Sequence, residues 1–167
     1  MKKIIVIGCP GSGKSRLAKK LHTISGIPLY HLDMLYWNTD KTTVEKRLFL
    51  ERLGDAMSKE EWIIDGNYAS TMEIRMKACD TVIFLDFPTN TCLSGIKERL
   101  GKPRSDMPWV ESEESDDEFI EFIKNYNLQN RPQVLELLKK YSEKRIFILN
   151  NREEADEFLT RCLEYFS

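Results

Sequence analysis

Eight consecutive residues, Gly8-Cys9-Pro10-Gly11-Ser12-Gly13-Lys14-Ser15, constrain this chain more than any other stretch. They fit the phosphate-binding pattern G-x-x-x-x-G-K-[ST]. At average glycine usage the fixed positions coincide by accident in about one chain in a hundred of this size, or fewer. The flanks agree with the motif. Lys2-Lys3-Ile4-Ile5-Val6-Ile7 is a short β-branched run, the pattern of a buried strand. Leu17, Ala18, Leu21 and Ile24 recur at helical spacing and predict an amphipathic helix over 14–25. Strand, glycine loop and helix together suit a polyphosphate. Glycines let backbone N–H groups turn inward around phosphate oxygens. The helix adds its N-terminal N–H groups and the positive end of its dipole. Gly8, Pro10, Gly11, Ser12, Gly13, Lys14, Ser15 and Arg16 are the expected nucleotide-contacting set. Lys14 is placed to reach the β- and γ-phosphates, and the Ser15 hydroxyl to ligate Mg²⁺.

Length fits one domain over 1–167, and 41% hydrophobic content is enough for a core. A net charge of −2 argues against a general nucleic-acid binder, which needs a basic excess. Cys9, Cys79, Cys92 and Cys162 form no C-x-x-C pair and no zinc-type cluster. They read as free thiols of a reducing, cytoplasmic setting. Cys9 reads as a small residue tolerated at a variable loop position, the alternative being an exposed, oxidisable thiol. No signal peptide and no long apolar run is visible, so membrane spanning is not expected.

Several further segments place charged residues at strand ends. Leu29-Tyr30-His31-Leu32 predicts a second strand, with Asp33 just beyond it in a loop. In open α/β sheets ligands sit outside the carboxyl ends of strands, so Asp33 is a candidate to orient, or take a proton from, a phosphoryl acceptor. His31 reads as a half-buried, hydrogen-bonded histidine. Tyr36 and Trp37 form either an aromatic wall for an acceptor or a packed flap. A helix is expected over 43–58, then a strand at Trp62-Ile63-Ile64 ended by Asp65-Gly66. A short helix over 71–78 carries Arg75, a candidate phosphate fork. Asp80-Thr81-Val82-Ile83-Phe84-Leu85-Asp86 is the strongest strand pattern. An acidic residue ending such a strand is the Walker-B arrangement that holds Mg²⁺. Asp86 and Asp65 both qualify, and spacing alone does not rank them.

A helix capped by Thr89 or Asn90 runs to about Leu100. It leads into Lys97-Glu98-Arg99-Leu100-Gly101-Lys102-Pro103-Arg104, a basic segment suited to closing over a transferring phosphoryl group. This predicts a lid over about 99–118, with Arg99 and Arg104 facing the phosphates. The acidic run over 111–118 reads as the start of a helix at Phe119, not a metal site. Arg131 precedes Pro132 at a helix start, where a cation is disfavoured and needs an anionic partner. A phosphate would supply one. Arg145-Ile146-Phe147-Ile148-Leu149 is the last strand. Asn150-Asn151-Arg152 follows as a candidate base-lining segment, and a closing helix covers 155–166. Five strands alternating with helices indicate a parallel sheet covered on both faces.

In these stretches the chain resembles the small P-loop kinases of the nucleoside monophosphate kinase superfamily. It looks most like the bacterial DNA topology modulation (FlaR-like) proteins, which are related to adenylate kinase. The resemblance rests on residues 8–15, 28–33, 62–68, 80–88 and 101–107, and on Arg131-Pro132. It implies an α/β P-loop NTPase fold, three-layered α/β/α with a five-stranded parallel sheet and a short lid. It also implies ATP and Mg²⁺ as ligands. Asp65-Gly66 resembles the Asp-Gly that precedes an acceptor-binding arginine in adenylate kinases, although here Arg75 is the nearest arginine.

The expectation is an ATP-dependent phosphotransferase for a small acceptor, with a nucleotide among the candidates. Lys14, Asp33, Arg99, Arg104 and Arg131 would be its catalytic set, and Ser15 with Asp86 or Asp65 its metal ligands. The alternative is a nucleotide-dependent regulatory protein with little turnover. Direct DNA binding is not expected, because no helix-turn-helix, zinc or basic-stripe signature is present.

Overall fold

The computed structural model describes residues 1–110, 112–114 and 116–167. Of the expected acidic run, Glu111 and Ser115 lie outside the described residues. In chain order the elements are β1 (Lys3–Gly8), α1 (Lys14–Ser25), β2 (Leu29–His31), α2 (Leu32–Tyr36) and α3 (Lys46–Met57). They continue with β3 (Trp62–Asp65), α4 (Ala69–Ala78), β4 (Thr81–Leu85) and α5 (Thr89–Arg99). After a connection that contains the expected lid come α6 (Asp117–Gln129), α7 (Arg131–Lys140), β5 (Arg145–Leu149) and α8 (Arg152–Phe166).

The sheet order is β2-β3-β1-β4-β5, and every pairing is parallel. The order reverses around β1, which pairs with β3 on one side and β4 on the other. The glycine loop after β1 therefore opens at the switch point, where the crevices of open α/β sheets form. Pleating sends Ile4 and Val6 to one face of β1 and Ile5 and Ile7 to the other. All four are fully buried, because helices cover both faces. One face packs against Leu17, Leu21, Phe158 and Leu159 of α1 and α8. The other packs against Phe49, Leu53, Met76 and Leu138 of α3, α4 and α7.

Of the boundaries that differ from expectation, four have a clear local reason. Leu32 and Asp33 belong to a short helix, not to a strand and loop, and the Trp37 N–H bonds the Asp33 carbonyl at 3.1 Å. The helix buries Leu32 completely. α3 starts later than Thr43, because Thr43 bridges to Trp37 and the Val44 N–H bonds the Tyr36 carbonyl. α6 starts at Asp117 because the Asp116 carboxylate caps the N–H groups of Glu118 and Phe119. α8 starts at Arg152 because the Asn151 side chain accepts from the Glu154 N–H at 2.8 Å.

Candidate active site

The glycine loop lies directly on α5. A Cβ on Gly11 would stand 2.0 Å from the Cys92 carbonyl oxygen, and one on Gly95 would stand 2.0 Å from the Gly11 carbonyl oxygen. Both positions exclude any side chain, so the loop is clamped by backbone-to-backbone contact. Cys9 is buried beside Cys92, which removes the exposed, oxidisable reading of its thiol. The hydrogen bond with Cys92 and burial both push the Cys9 thiol's pKa upward.

Lys14 opens α1, and its ammonium donates to the Cys9 carbonyl at 3.2 Å. It curls over its own loop in this way. Burial lowers its pKa, against the pull of Asp65 and Asp33. The Ser15 hydroxyl donates to Asp65 Oδ2 at 2.6 Å. The other carboxylate oxygen, Oδ1, is 2.7 Å from His31 Nδ1. Asp65 ends β3 and is 4% exposed, so it is fixed from both sides. A serine hydroxyl and a carboxylate are the hard oxygen donors that Mg²⁺ takes, so the residues fit that ion. Asp86 lies just past β4, and both its oxygens are engaged by Arg131, at 2.7 and 2.8 Å. The two carboxylates left open by the sequence thus separate: Asp65 joins Ser15, and Asp86 supplies Arg131 with its anionic partner.

Asp33 faces the same edge from α2. Burial raises its pKa, partly offset by the Tyr68 hydroxyl, which donates to it at 2.5 Å, and by Lys14. Tyr68 holds a left-handed backbone, φ 37°, unusual for a tyrosine and the kind of strain found at functional sites. Arg75 is corrected. It is fully buried, and its guanidinium donates to the carbonyls of Gly66, Asn67 and Tyr68. It braces the turn after β3 and offers no fork to a phosphate.

Tyr36 and Trp37 join an aromatic cluster. Tyr36 meets Phe49 and Tyr68, while Trp37 meets Trp109 at 5.2 Å between ring centroids. The flap reading holds, and Trp109 ties the α5–α6 connection to it. In that connection Arg104 grips Asp106 through Nε at 3.1 Å and a terminal nitrogen at 2.5 Å. Arg99 stacks its guanidinium over Phe119 at 5.7 Å. Arg16 and Arg152 line a small hollow of about 70 Å³ beside Gly13, between α1 and α8. Asn150 and Asn151 bond Glu154 at the start of α8.

Two residues escaped the sequence reading. Asn67 Nδ2 donates to the Gly8 carbonyl at 2.6 Å, and its Oδ1 accepts from the Gly8 N–H at 3.1 Å. It extends the β1–β3 ladder with a side chain. Asp106 is 3% exposed, held by Arg104, with Lys19 3.8 Å away. Burial pushes its carboxyl up, but Arg104 outweighs that and holds it well below the usual carboxylate range. Their only sequence signal was position, one just after Asp65-Gly66 and the other inside the basic segment.

No family model and no curated protein matches this chain. Solved structures do. A gluconokinase from Sinorhizobium meliloti superposes with TM-score 0.57 at 15% identity, over 98% of this chain and 94% of that one. A shikimate kinase from Bacteroides thetaiotaomicron gives 0.57 at 19% identity, over 97% and 96%. An unliganded sugar kinase from a Janibacter species gives 0.56 at 14%, over 99% and 94%. At such identities the likeness speaks to architecture. This chain shares the α/β fold of these structures, with its glycine loop, two carboxylates and a lysine gathered at the carboxyl edge of the sheet.

Proposed function

We propose that this chain is an ATP-dependent phosphotransferase acting on a small hydroxyl-bearing acceptor. One observation carries the reading: Lys14, the Ser15–Asp65 pair and Asp33 converge at the switch-point crevice, each within the electrostatic reach of the others. A nucleotide-holding loop alone would not call for the second carboxylate. Burial raises the pKa of Asp33, which makes it a better proton acceptor than an exposed carboxylate.

In this reading the acceptor oxygen attacks the γ-phosphorus, and its hydroxyl proton passes to Asp33. The bond to the bridging oxygen breaks, and ADP leaves with the electron pair. Lys14 and the loop N–H groups balance the phosphate charge. Arg99, Arg104 and Arg131 stabilise the equatorial oxygens, the last two by exchanging Asp106 and Asp86 for phosphate. Mg²⁺, held by Ser15 and Asp65, would neutralise charge on the β- and γ-oxygens when bound. The reading takes in the resemblance to the topology modulation proteins. It also takes in a cytoplasmic setting, supported by four free, buried cysteines. Among the described residues no helix is long and apolar enough to cross a membrane.

The test is ADP release from Mg·ATP with and without acceptors, using Lys14→Ala as the blank. Acceptor-dependent ADP above the blank supports the proposal. Equal ADP without acceptor makes the chain an ATPase, and nucleotide binding with no turnover moves the reading to a regulatory protein.

A further inference from the structure

A pocket of about 300 Å³ lies between the start of α4 and the α6–α7 pair. This is the lower end of the range for small-molecule sites. Two of its walls adjoin residues of the candidate active site. Asn67 and Tyr68 form one wall, and the same residues bond Gly8 and Asp33. Asn130 stands at another wall, immediately before Arg131, whose guanidinium grips Asp86 past β4. A molecule in this pocket therefore touches Asn67 and Tyr68, which in turn hold Gly8 and Asp33.

The lining decides what fits. Met72, Phe122, Tyr126, Val134 and Leu137 make it largely apolar. Phe122 and Tyr126 are set edge to face, 6.4 Å apart, and present an aromatic wall. Phe122 is 42% exposed. The polar groups in the lining are three amides, Asn67, Asn130 and Gln133, and two phenols, Tyr68 and Tyr126; Asn67 and Tyr68 are engaged with Gly8 and Asp33, whereas the buried Tyr126 hydroxyl has no hydrogen-bond partner among the described residues. No lining residue carries a charge. A carboxylate placed here would lose water without gaining a counter-charge, at a cost of several kcal/mol. A polyol would leave its hydroxyls against hydrocarbon. A flat ring with amide-matching edges would satisfy both kinds of lining.

We infer that this pocket holds the body of the phosphoryl acceptor, and that the acceptor is an uncharged alcohol built on a ring rather than a sugar acid. The inference rests on the phosphotransferase reading and narrows it. It separates this chain from what the names of its structural neighbours, a gluconokinase and a shikimate kinase, say of those proteins.

Adenosine and thymidine serve as ring-alcohol probes, with gluconate and shikimate as the contrast. Binding to the full chain is measured by calorimetry with Mg²⁺ and a non-hydrolysable ATP analogue present, and turnover by ADP release. Phe122→Glu and Gln133→Glu place a charge at partly exposed positions of the lining, and circular dichroism confirms that both variants fold. The expected result is binding of at least one ring alcohol, weakened tenfold or more by either variant. Failure of both ring alcohols to bind overturns the inference, as does binding that both charged variants leave unchanged. ADP release driven by gluconate or shikimate overturns it too, while leaving the kinase reading intact. Ring-alcohol binding that the variants abolish, without acceptor-dependent ADP, keeps the pocket and removes the phosphotransferase reading.

Discussion

The glycine loop and the α5–α6 connection both bring positive charge to the same crevice, but they are held in different ways. The loop is welded to the core. Gly11 and Gly95 touch backbone to backbone, Asn67 clips Gly8 from both sides, and Asp65 is fixed between Ser15 and His31. The connection is held by ion pairs and rings: Arg104 on Asp106, Arg99 over Phe119, Trp109 against Trp37. On the proposed reading a phosphate would find the first region already shaped, whereas in the second it would compete with Asp106 for Arg104. Preorganised donors supply most of the rate in phosphoryl transfer. The loop should therefore dominate catalysis and the connection tune it.

The strongest challenge to this contrast is Lys14→Ala. It should lower kcat/KM by several powers of ten, about 4 kcal/mol, with thermal stability near wild type. A loss of less than tenfold would falsify the assignment of the loop as the catalytic anchor. Next in size is Arg75→Ala, which strips three half-buried carbonyls of their donor and opens a cavity where a fully buried side chain stood. Urea unfolding should show a loss of about 3 kcal/mol. An unchanged midpoint would mean that the turn after β3 stands without its brace.

Arg104→Ala probes the connection. It should reduce kcat by about tenfold to a hundredfold, less than the loop variant. It also has a pH signature. Arg104 holds the Asp106 carboxyl down in the folded state. A depressed carboxylate stabilises the fold above its unfolded pKa, and that stability is lost as pH falls through the folded value. The variant should therefore be less stable than wild type at neutral pH, and the gap should narrow in acid. A gap that stays constant in pH-dependent melts would detach Asp106 from Arg104. The smallest effect is expected from Tyr68→Phe. The Tyr68 hydroxyl favours ionised Asp33. Removing it raises the Asp33 pKa further, so the acid limb of kcat/KM should move to higher pH with little change on the plateau. A limb that moves down, or stays, would separate Asp33 from the proton transfer.

Much of the fold was legible because it is local. β1, α1 and β5 follow from short-range patterns, and the bounds of α1 and β5 match the expected spans. The parallel, two-faced sheet follows from strands alternating with helices. Misreadings came where tertiary contact competes with local signal. Leu32 looked like the end of a strand, yet it starts a helix that it anchors in the core. Arg75 looked like a phosphate fork because arginine is seldom fully buried. Only the path of the chain from Gly66 to Tyr68 creates the three carbonyls that accept it.

By itself the sequence determined that a strand, a glycine loop and a helix would follow one another around Lys14 and Ser15, since eight contiguous residues carry that geometry in their backbone preferences. Only the tertiary structure decided the partners of the charges. Asp65 lies 50 residues from Ser15, and Asp86 lies 45 from Arg131. Either carboxylate could have served the metal by spacing. The sheet order sets β3 and β4 on opposite sides of β1, and α7 brings its arginine to β4 alone. Ion pairing depends on distance in space, and distance in space is fixed by strand order, which no local pattern of residues encodes.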